Sequence, residues 1–152
     1  MIEKYSKSAN GNIKLSNNFL VKEFACKDGS DYILIDTELV KLLQNIRNHF
    51  NKPVTINSAY RNPTYNKKVG GASNSSHLKG LATDWHTNIT ITEEKFIKYA
   101  KKWKEICERH NCVGEAGLYT WGMHLGSHIT YSKTFYNWDS RTGTQKNNAF
   151  KI

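Results

Sequence analysis

The sequence predicts a single small α+β domain, in which an antiparallel sheet is backed by two main helices. Two segments carry apolar residues at helical spacing, and several short segments alternate polar and apolar residues as strands do. A length of 152 residues suits one domain. A hydrophobic content of 38%, with four tryptophans and eight tyrosines, supports a globular core.

The two helices are expected to form the scaffold of the domain. The first should run from Asp36 to Phe50, with Asp36 or Thr37 capping its start. The second should begin at Thr92, which is followed by two glutamates suited to the positive end of a helix, and should end before Asn111.

Strands are expected on either side of the second helix. Residues 53–58 alternate like a strand, whose end would bring Arg61 to a site, and residues 113–119 and 123–131 resemble a pair of strands. Residues 62–76 are rich in Asn, Gly and Ser, which predicts a long loop at the rim of a cleft.

The ends of the chain are polar. We expect an N-terminal arm at residues 1–18 that packs loosely, a folded domain at 19–141, and a C-terminal tail at 142–152 that frays. The first residues lack the apolar stretch of a signal peptide, and no apolar run is long enough to span a bilayer. The sequence therefore predicts a monomeric protein that carries no secretory signal and does not insert into membranes.

Charge and cysteine content limit the classes of partner. Lys and Arg number 22 against 13 Asp and Glu, a net charge of +9 that favours an anionic polymer such as nucleic acid or bacterial cell wall. The lysines are scattered without a recognition-helix or zinc-finger pattern, so nucleic acid is not the expected partner. Cys26, Cys107 and Cys112 match neither a zinc knuckle nor a small disulfide scaffold, which favours synthesis in a reducing compartment.

The segment from Ser75 to Trp85 holds an imidazole and a carboxylate, His77 and Asp84, on either side of Gly80. Their Cα atoms would lie about 10.5 Å apart along a helix and roughly 23 Å apart along a strand, whereas ligands of one zinc ion lie at about 2.0–2.2 Å from it. The two can share an ion only if the chain reverses, and Gly80 can adopt the positive φ that a reversal needs. The alternative is a surface histidine and a turn or cap carboxylate.

A third ligand is expected downstream, where the sequence offers two histidines. His124 lies between Met123 and Leu125, so in a strand its imidazole would face away from the core, toward a cleft. His128 is the alternative third ligand. The alternative for either histidine is a side chain satisfied by hydrogen bonds at a strand end. Three protein ligands would leave zinc a fourth position for water.

Three motifs carry a family resemblance: Ser58-Ala59-Tyr60-Arg61-Asn62-Pro63, Gly70-Gly71-Ala72 and Ser75 to Asp84. Together they resemble the zinc D-alanyl-D-alanine carboxypeptidase family of murein peptidases, whose fold is shared with the hedgehog signalling domain. The similarity extends upstream to Phe24 and downstream to Arg141, and so covers most of the chain. It implies a fold of the hedgehog and DD-peptidase type.

The resemblance also implies roles for individual residues. His77 and Asp84 would be zinc ligands and His124 the third. Arg61 would hold a carboxylate or carbonyl of the peptide substrate, and Ser75 would support the site.

The sequence departs from the family pattern after the third ligand. Family members commonly have Asp two residues after that histidine, whereas this chain has Gly126. Another acid must then handle the proton, and Glu115 is the first candidate for this catalytic role. Asp139 is a further possibility, and an exposed glutamate at a strand end is the alternative interpretation of Glu115. His128 remains the alternative third ligand. It stands ten residues before Trp138, a separation that some relatives show between the ligand and a tryptophan.

The expected function is that of a zinc-dependent peptidoglycan peptidase, a carboxypeptidase or endopeptidase acting on stem peptides or cross-links. It resembles a phage or prophage lysis enzyme, made in the host cytoplasm and acting on the cell wall after release. The alternative is a non-catalytic, zinc-stabilised domain that binds cell wall or protein, because the aspartate of the family is missing. The aromatic residues Tyr119, Trp121 and Trp138 either line the cleft or belong to the core.

Overall fold

The computed structural model describes residues 1–86 and 91–152. The described strands are β1 (Ile2–Ser6), β2 (Tyr32–Asp36), β3 (Thr55–Ser58), β4 (Ala82–His86), β5 (Glu115–Tyr119), β6 (Gly122–Gly126), β7 (Tyr136–Asp139) and β8 (Lys146–Asn147). The α-helices in the same residues are α1 (Lys7–Asn10), α2 (Thr37–Phe50), α3 (Pro63–Lys68) and α4 (Glu93–Arg109). Short 3₁₀ helices occur at Val21–Phe24 and Ser76–Lys79.

A six-stranded sheet carries the residues of the candidate site, in the order β3-β4-β6-β5-β7-β8. Its neighbours pair antiparallel except for β5 and β7, which are parallel. The predicted α+β class is confirmed, but the sheet is mixed. After the β5–β6 hairpin the chain crosses over to the other edge of β5. Strand β7 pairs there in the same direction as β5, which makes this pair parallel.

The two main helices form as predicted. Asp36 caps α2 by accepting a hydrogen bond from the Leu39 amide (3.3 Å), and Thr92 caps α4 through the Lys95 amide (3.3 Å). Helix α4 contacts α2, β5 and β6, and its Trp103 indole donates to the Gly126 carbonyl (2.8 Å). The scaffold thus holds the β5–β6 hairpin from behind. Within the described residues, none of the helices combines the length and the apolar character needed to cross a bilayer.

The segment at residues 62–76 differs from the loop that its composition predicts. It contains α3, which begins where the Asn62 side chain accepts a hydrogen bond from the Tyr65 amide (2.8 Å). Pro63 occupies the first turn, where its fixed φ favours a helix and its missing N–H has no cost. The Asn-Pro pair was therefore the start signal of a helix, and only the part after Lys68 is a loop.

The ends of the chain are also more ordered than their polar composition predicts. Strand β1 pairs along its length with β2, and the N-terminal ammonium group lies 2.8 Å from the Asp36 carboxylate. Phe150 is buried, and its backbone exchanges two hydrogen bonds with the Asn137 side chain (3.0 and 3.1 Å). Backbone pairing and one anchoring aromatic thus connect both ends of the chain to the rest of the fold despite their low apolar content, whereas the expected loose packing and fraying stay predictions. The boundaries after residues 18 and 141 remain predictions.

Candidate metal centre

The chain reverses between the first two candidate ligands, as the sequence predicts. His77 lies in the 3₁₀ turn, Gly80 follows with φ of 70°, and β4 then carries Asp84. The Ser75 hydroxyl accepts a hydrogen bond from the His77 amide (3.3 Å) at the start of the turn. Ser75 therefore supports the loop that positions His77.

Replacing Gly80 with alanine is expected to destabilise this turn. An L-residue in the left-handed region costs about 1–2 kcal/mol, and an added Cβ would also overlap the Leu34 carbonyl group. Gly29 is a matched control, because its φ is +84° but a Cβ there would meet nothing within 4 Å. Urea unfolding should show a larger loss for Gly80→Ala than for Gly29→Ala, and equal losses would show that the contact with Leu34 contributes nothing.

Three buried side chains converge where β4 pairs with β6. The sheet register places Asp84 directly opposite His124. The Asp84 Oδ1 atom lies 3.1 Å from His77 Nε2 and 2.8 Å from His124 Nδ1. All three ligand atoms lie within 4.8 Å of one another. Atoms bound tetrahedrally to zinc at 2.0–2.1 Å are about 3.3 Å apart, so two imidazoles and a carboxylate in this arrangement fit a zinc ion.

Each imidazole is oriented by a hydrogen bond on its far side. His77 Nδ1 lies 2.6 Å from the Ala59 carbonyl oxygen, to which it donates. His124 Nε2 lies 3.0 Å from Glu115 Oε1 and donates to that carboxylate. These contacts turn His77 Nε2 and His124 Nδ1 toward Asp84 Oδ1, and a metal that bound there would release any proton that either nitrogen carries.

Arg61 contacts the ligand carboxylate. Its Nη2 donates to Asp84 Oδ2 at 2.6 Å, and its Nε donates to the Ser58 hydroxyl at 2.9 Å. Burial alone would raise the pKa of Asp84, but the adjacent His77 and His124 hold that pKa well below its usual range. The arginine thus orients Asp84 so that Oδ1 faces the imidazoles. Its predicted contact with substrate stays a prediction.

Glu115 is buried beside His124 instead of exposed at a strand end. Its Oε2 accepts a hydrogen bond from the Tyr131 hydroxyl, while Oε1 accepts from His124. Burial by itself would raise the pKa of Glu115, but the hydrogen bond and charge of His124 lower it to about 2. Burial would lower the pKa of His124, but the hydrogen bonds of its imidazole to Asp84 and Glu115 raise that pKa to about 9. The glutamate is therefore ionised at neutral pH.

The glycine that breaks the family pattern makes room for this carboxylate. Gly126 is the direct partner of Glu115 in the β5–β6 register. A Cβ at position 126 would overlap Glu115 Oε1 and come within 2.7 Å of Glu115 Cγ. The resemblance implies an acid at position 126, two residues after His124. Strand β5 instead supplies the carboxylate of Glu115 in the space beside that position.

The other candidates lie outside this cluster. His128 has a side chain 36% exposed, and its Nδ1 lies 3.4 Å from Asp36 Oδ2. Asp139 is paired with Arg141 (2.7 Å). His86, two residues after Asp84, also lies outside the cluster, and its Nδ1 contacts the Asn57 side chain (3.0 Å). The structure thus brings His124 to His77 and Asp84, and does not bring His128 there.

The cluster lies in a cleft of about 620 Å³. Aromatic side chains form part of its wall, where the Tyr119 ring stacks on Trp121 with centroids 4.6 Å apart and the Trp138 indole donates to the Tyr119 hydroxyl (3.1 Å). Sequence reasoning missed Tyr131, which it placed at the end of a predicted strand; the structure ends β6 at Gly126 and brings Tyr131 to Glu115 from the following loop. It also missed the Arg61–Asp84 pair, whose members are far apart in the chain.

Comparison with known proteins agrees with the geometry. The family model described as Peptidase M15 matches residues 15–126. A segment of 33 residues is 54% identical to the zinc D-Ala-D-Ala carboxypeptidase of Streptomyces albus G. That segment covers 22% of this chain and 13% of the length of the Streptomyces protein. The resemblance found in the sequence is thereby confirmed: the chain belongs to the Peptidase M15 family.

Proposed function

We propose that the protein is a zinc-dependent peptidase that hydrolyses amide bonds in the peptides of peptidoglycan. The observation that carries this proposal is the convergence of His77, Asp84 and His124 in a cleft, beside the buried carboxylate of Glu115. Membership of the Peptidase M15 family and the similarity to a zinc D-Ala-D-Ala carboxypeptidase support the reaction and the substrate.

The side chains divide into those that hold the metal and those that orient its ligands. His77 Nε2, Asp84 Oδ1 and His124 Nδ1 would hold the ion, and Arg61 fixes the second oxygen of Asp84. When bound, zinc activates water and polarises a carbonyl group at neutral pH.

Glu115 is proposed to move the proton. Among the described residues that line the cleft, the carboxylates are Asp84 and Glu115, and Asp84 is assigned to the metal. An ionised Glu115 can accept a proton from the attacking water and return it to the leaving amine. The Tyr131 hydroxyl, which donates to Glu115 Oε2, holds the carboxylate in place.

We also propose that the protein acts on the cell wall as a lysis enzyme of phage type, after release from the cell that makes it. The net charge of +9 supports this part of the proposal, because a basic protein is attracted to an anionic wall. The alternative function is a non-catalytic, zinc-stabilised binding domain. The ground for that alternative is Gly126, which stands where the family commonly has an acid, and the carboxylate of Glu115 beside Gly126 counts against it.

Metal loading and digestion of defined muropeptides test the proposal. The protein should hold one zinc per chain and release products that mass spectrometry identifies as hydrolysed stem peptides or cross-links. Chelation of zinc should stop hydrolysis, and added zinc should restore it, with circular dichroism as a control for folding. Retention of zinc without cleavage of any muropeptide would instead support the binding domain.

A further inference from the structure

Helix α4 ends in a turn that brings two cysteines together. Asn111 adopts a positive φ of 55°, and its amide donates to the Glu108 carbonyl oxygen at 3.1 Å. The Cys112 amide donates to the Cys107 carbonyl oxygen at 3.0 Å. These two bonds are those of a Schellman motif, in which the side chains at the positions of Cys107 and Cys112 often touch. That contact is usually hydrophobic, whereas here both side chains carry a thiol.

The backbone geometry permits a disulfide between these two thiols. The covalent bonds on either side of the 3.0 Å hydrogen bond keep the two Cα atoms within about 7 Å of each other. Disulfides usually join Cα atoms that are about 4.4–6.8 Å apart. The three cysteines of the chain are free, so the pair is seen in its reduced form.

The two thiols differ in their access to solvent. Cys107 is fully buried, and a Cβ at Gly114 would come within 2.6 Å of its sulfur, so the segment that leads into β5 encloses it. Cys112 is half-buried and lines a cavity of about 270 Å³ beside Lys104 and Lys133. A small reagent can therefore reach Cys112, whereas Cys107 is shielded behind it.

The surroundings of Cys112 favour its thiolate. A hydrogen bond from the Cys107 thiol, opposed by burial and aided by the charge of His128, holds the pKa of Cys112 below its usual range. The same hydrogen bond, together with burial, raises the pKa of Cys107. The thiolate is the reactive form of cysteine. An accessible thiolate next to a second thiol is typical of cysteines that are oxidised reversibly.

We propose that Cys112 and Cys107 form a redox modification site, whose oxidant is a peroxide and whose product is a reversible disulfide at the end of α4. The Cys112 thiolate attacks one oxygen of hydrogen peroxide, the O–O bond breaks, and Cys112 becomes a sulfenic acid. The hydroxide that leaves takes up the proton that the Cys112 thiol released.

The second step joins the two sulfurs. The Cys107 sulfur attacks the Cys112 sulfur, the S–O bond breaks, and the hydroxyl leaves as water with the proton of the Cys107 thiol. The two thiols thereby lose two electrons, which reduce one hydrogen peroxide to two molecules of water. A dithiol reductant restores both thiols by thiol–disulfide exchange.

Oxidation followed by tryptic mapping tests the proposal without any measurement of peptidase activity. Arg109 lies between the two cysteines, so trypsin places them in separate peptides, residues 105–109 and 110–133, which only a disulfide would hold together. The zinc-loaded protein is treated with a stoichiometric amount of hydrogen peroxide, and the remaining thiols are then blocked with iodoacetamide in denaturant. Mass spectrometry should find the two peptides joined, and dithiothreitol should separate them. If both peptides are instead alkylated and separate after oxidation, the proposal is wrong.

Single variants separate the two roles within the pair. In Cys107→Ala, oxidation should stop at the sulfenic acid of Cys112, which dimedone traps, and in Cys112→Ser the Cys107 thiol should stay reduced. Cys26→Ser is the matched control, because Cys26 is a buried cysteine outside the pair, and this variant should form the disulfide as the unchanged protein does. A Cys107→Ala protein that is folded by circular dichroism but gives no dimedone adduct would refute the first step.

A labelling rate provides a further measurement that needs no variant. In the folded protein at pH 7, iodoacetamide should modify Cys112 at least about tenfold faster than Cys26, because Cys112 is more accessible and more readily a thiolate. Equal rates at the two cysteines would contradict the assignment of Cys112 as the attacking thiol.

Discussion

Replacing His77 with alanine is expected to abolish both zinc binding and peptide hydrolysis. The imidazole is buried, and its Nε2 lies 3.1 Å from the Asp84 oxygen that also faces His124. Alanine would leave two of the three candidate ligands, so the loss of zinc affinity should exceed the roughly 10–100-fold typical of an outer partner. Equilibrium dialysis followed by elemental analysis measures the zinc, and digestion of muropeptides measures the activity.

His128→Ala is the matched control for this experiment. It removes an imidazole of the same chemistry, which the sequence left open as third ligand and which the structure places against Asp36 and Ser127. The variant should keep its zinc and most of its activity. If His128→Ala loses the metal while His77→Ala retains it, the proposed ligand set is wrong. Circular dichroism of both variants checks that the fold is retained.

Replacing Glu115 with glutamine is expected to lower kcat by about 10²–10⁴-fold while zinc remains bound. Glutamine keeps an oxygen that can accept from His124 Nε2, and its amide nitrogen can donate to the Tyr131 hydroxyl oxygen. The orientation of His124 should therefore survive, whereas the ability to accept a proton is lost. Steady-state kinetics at saturating zinc measure the effect.

This variant separates two roles of the same carboxylate. If Glu115 serves only to orient His124, the glutamine variant should retain nearly full activity, and the proposed proton transfer would be refuted. Asp139→Asn is the control, since Asp139 is an acid of the neighbouring strand that contacts Arg141 instead of the cluster. That variant should change kcat little.

The sequence predicted the parts of this molecule that depend on local patterns. The amphipathic spacing and caps of α2 and α4 are local, and so is the reversal at Gly80 that allows His77 and Asp84 to meet. The helix α3 was missed although its signal, Asn62 followed by Pro63, was also local, because the surrounding composition favoured a loop.

The placement of Glu115 depends on strand pairing. Glu115 and Gly126 are cross-strand partners, so a missing side chain on one strand gives space to a carboxylate on the other. The sequence indicated both halves of this arrangement, a candidate acid and an unexpected glycine, without indicating that they occupy one space. The register of a hairpin, which sets this contact, follows from the packing of the whole sheet.

By itself, the sequence determined the class of the fold, the family and the types of residue available to bind a metal, because these follow from composition, spacing and short motifs. Only the tertiary structure decided that His124 meets Asp84, that Arg61 is engaged by that aspartate, and that Glu115 lies against His124. Such contacts join residues distant in the chain, and their geometry is set by sheet register and burial, which no local pattern encodes.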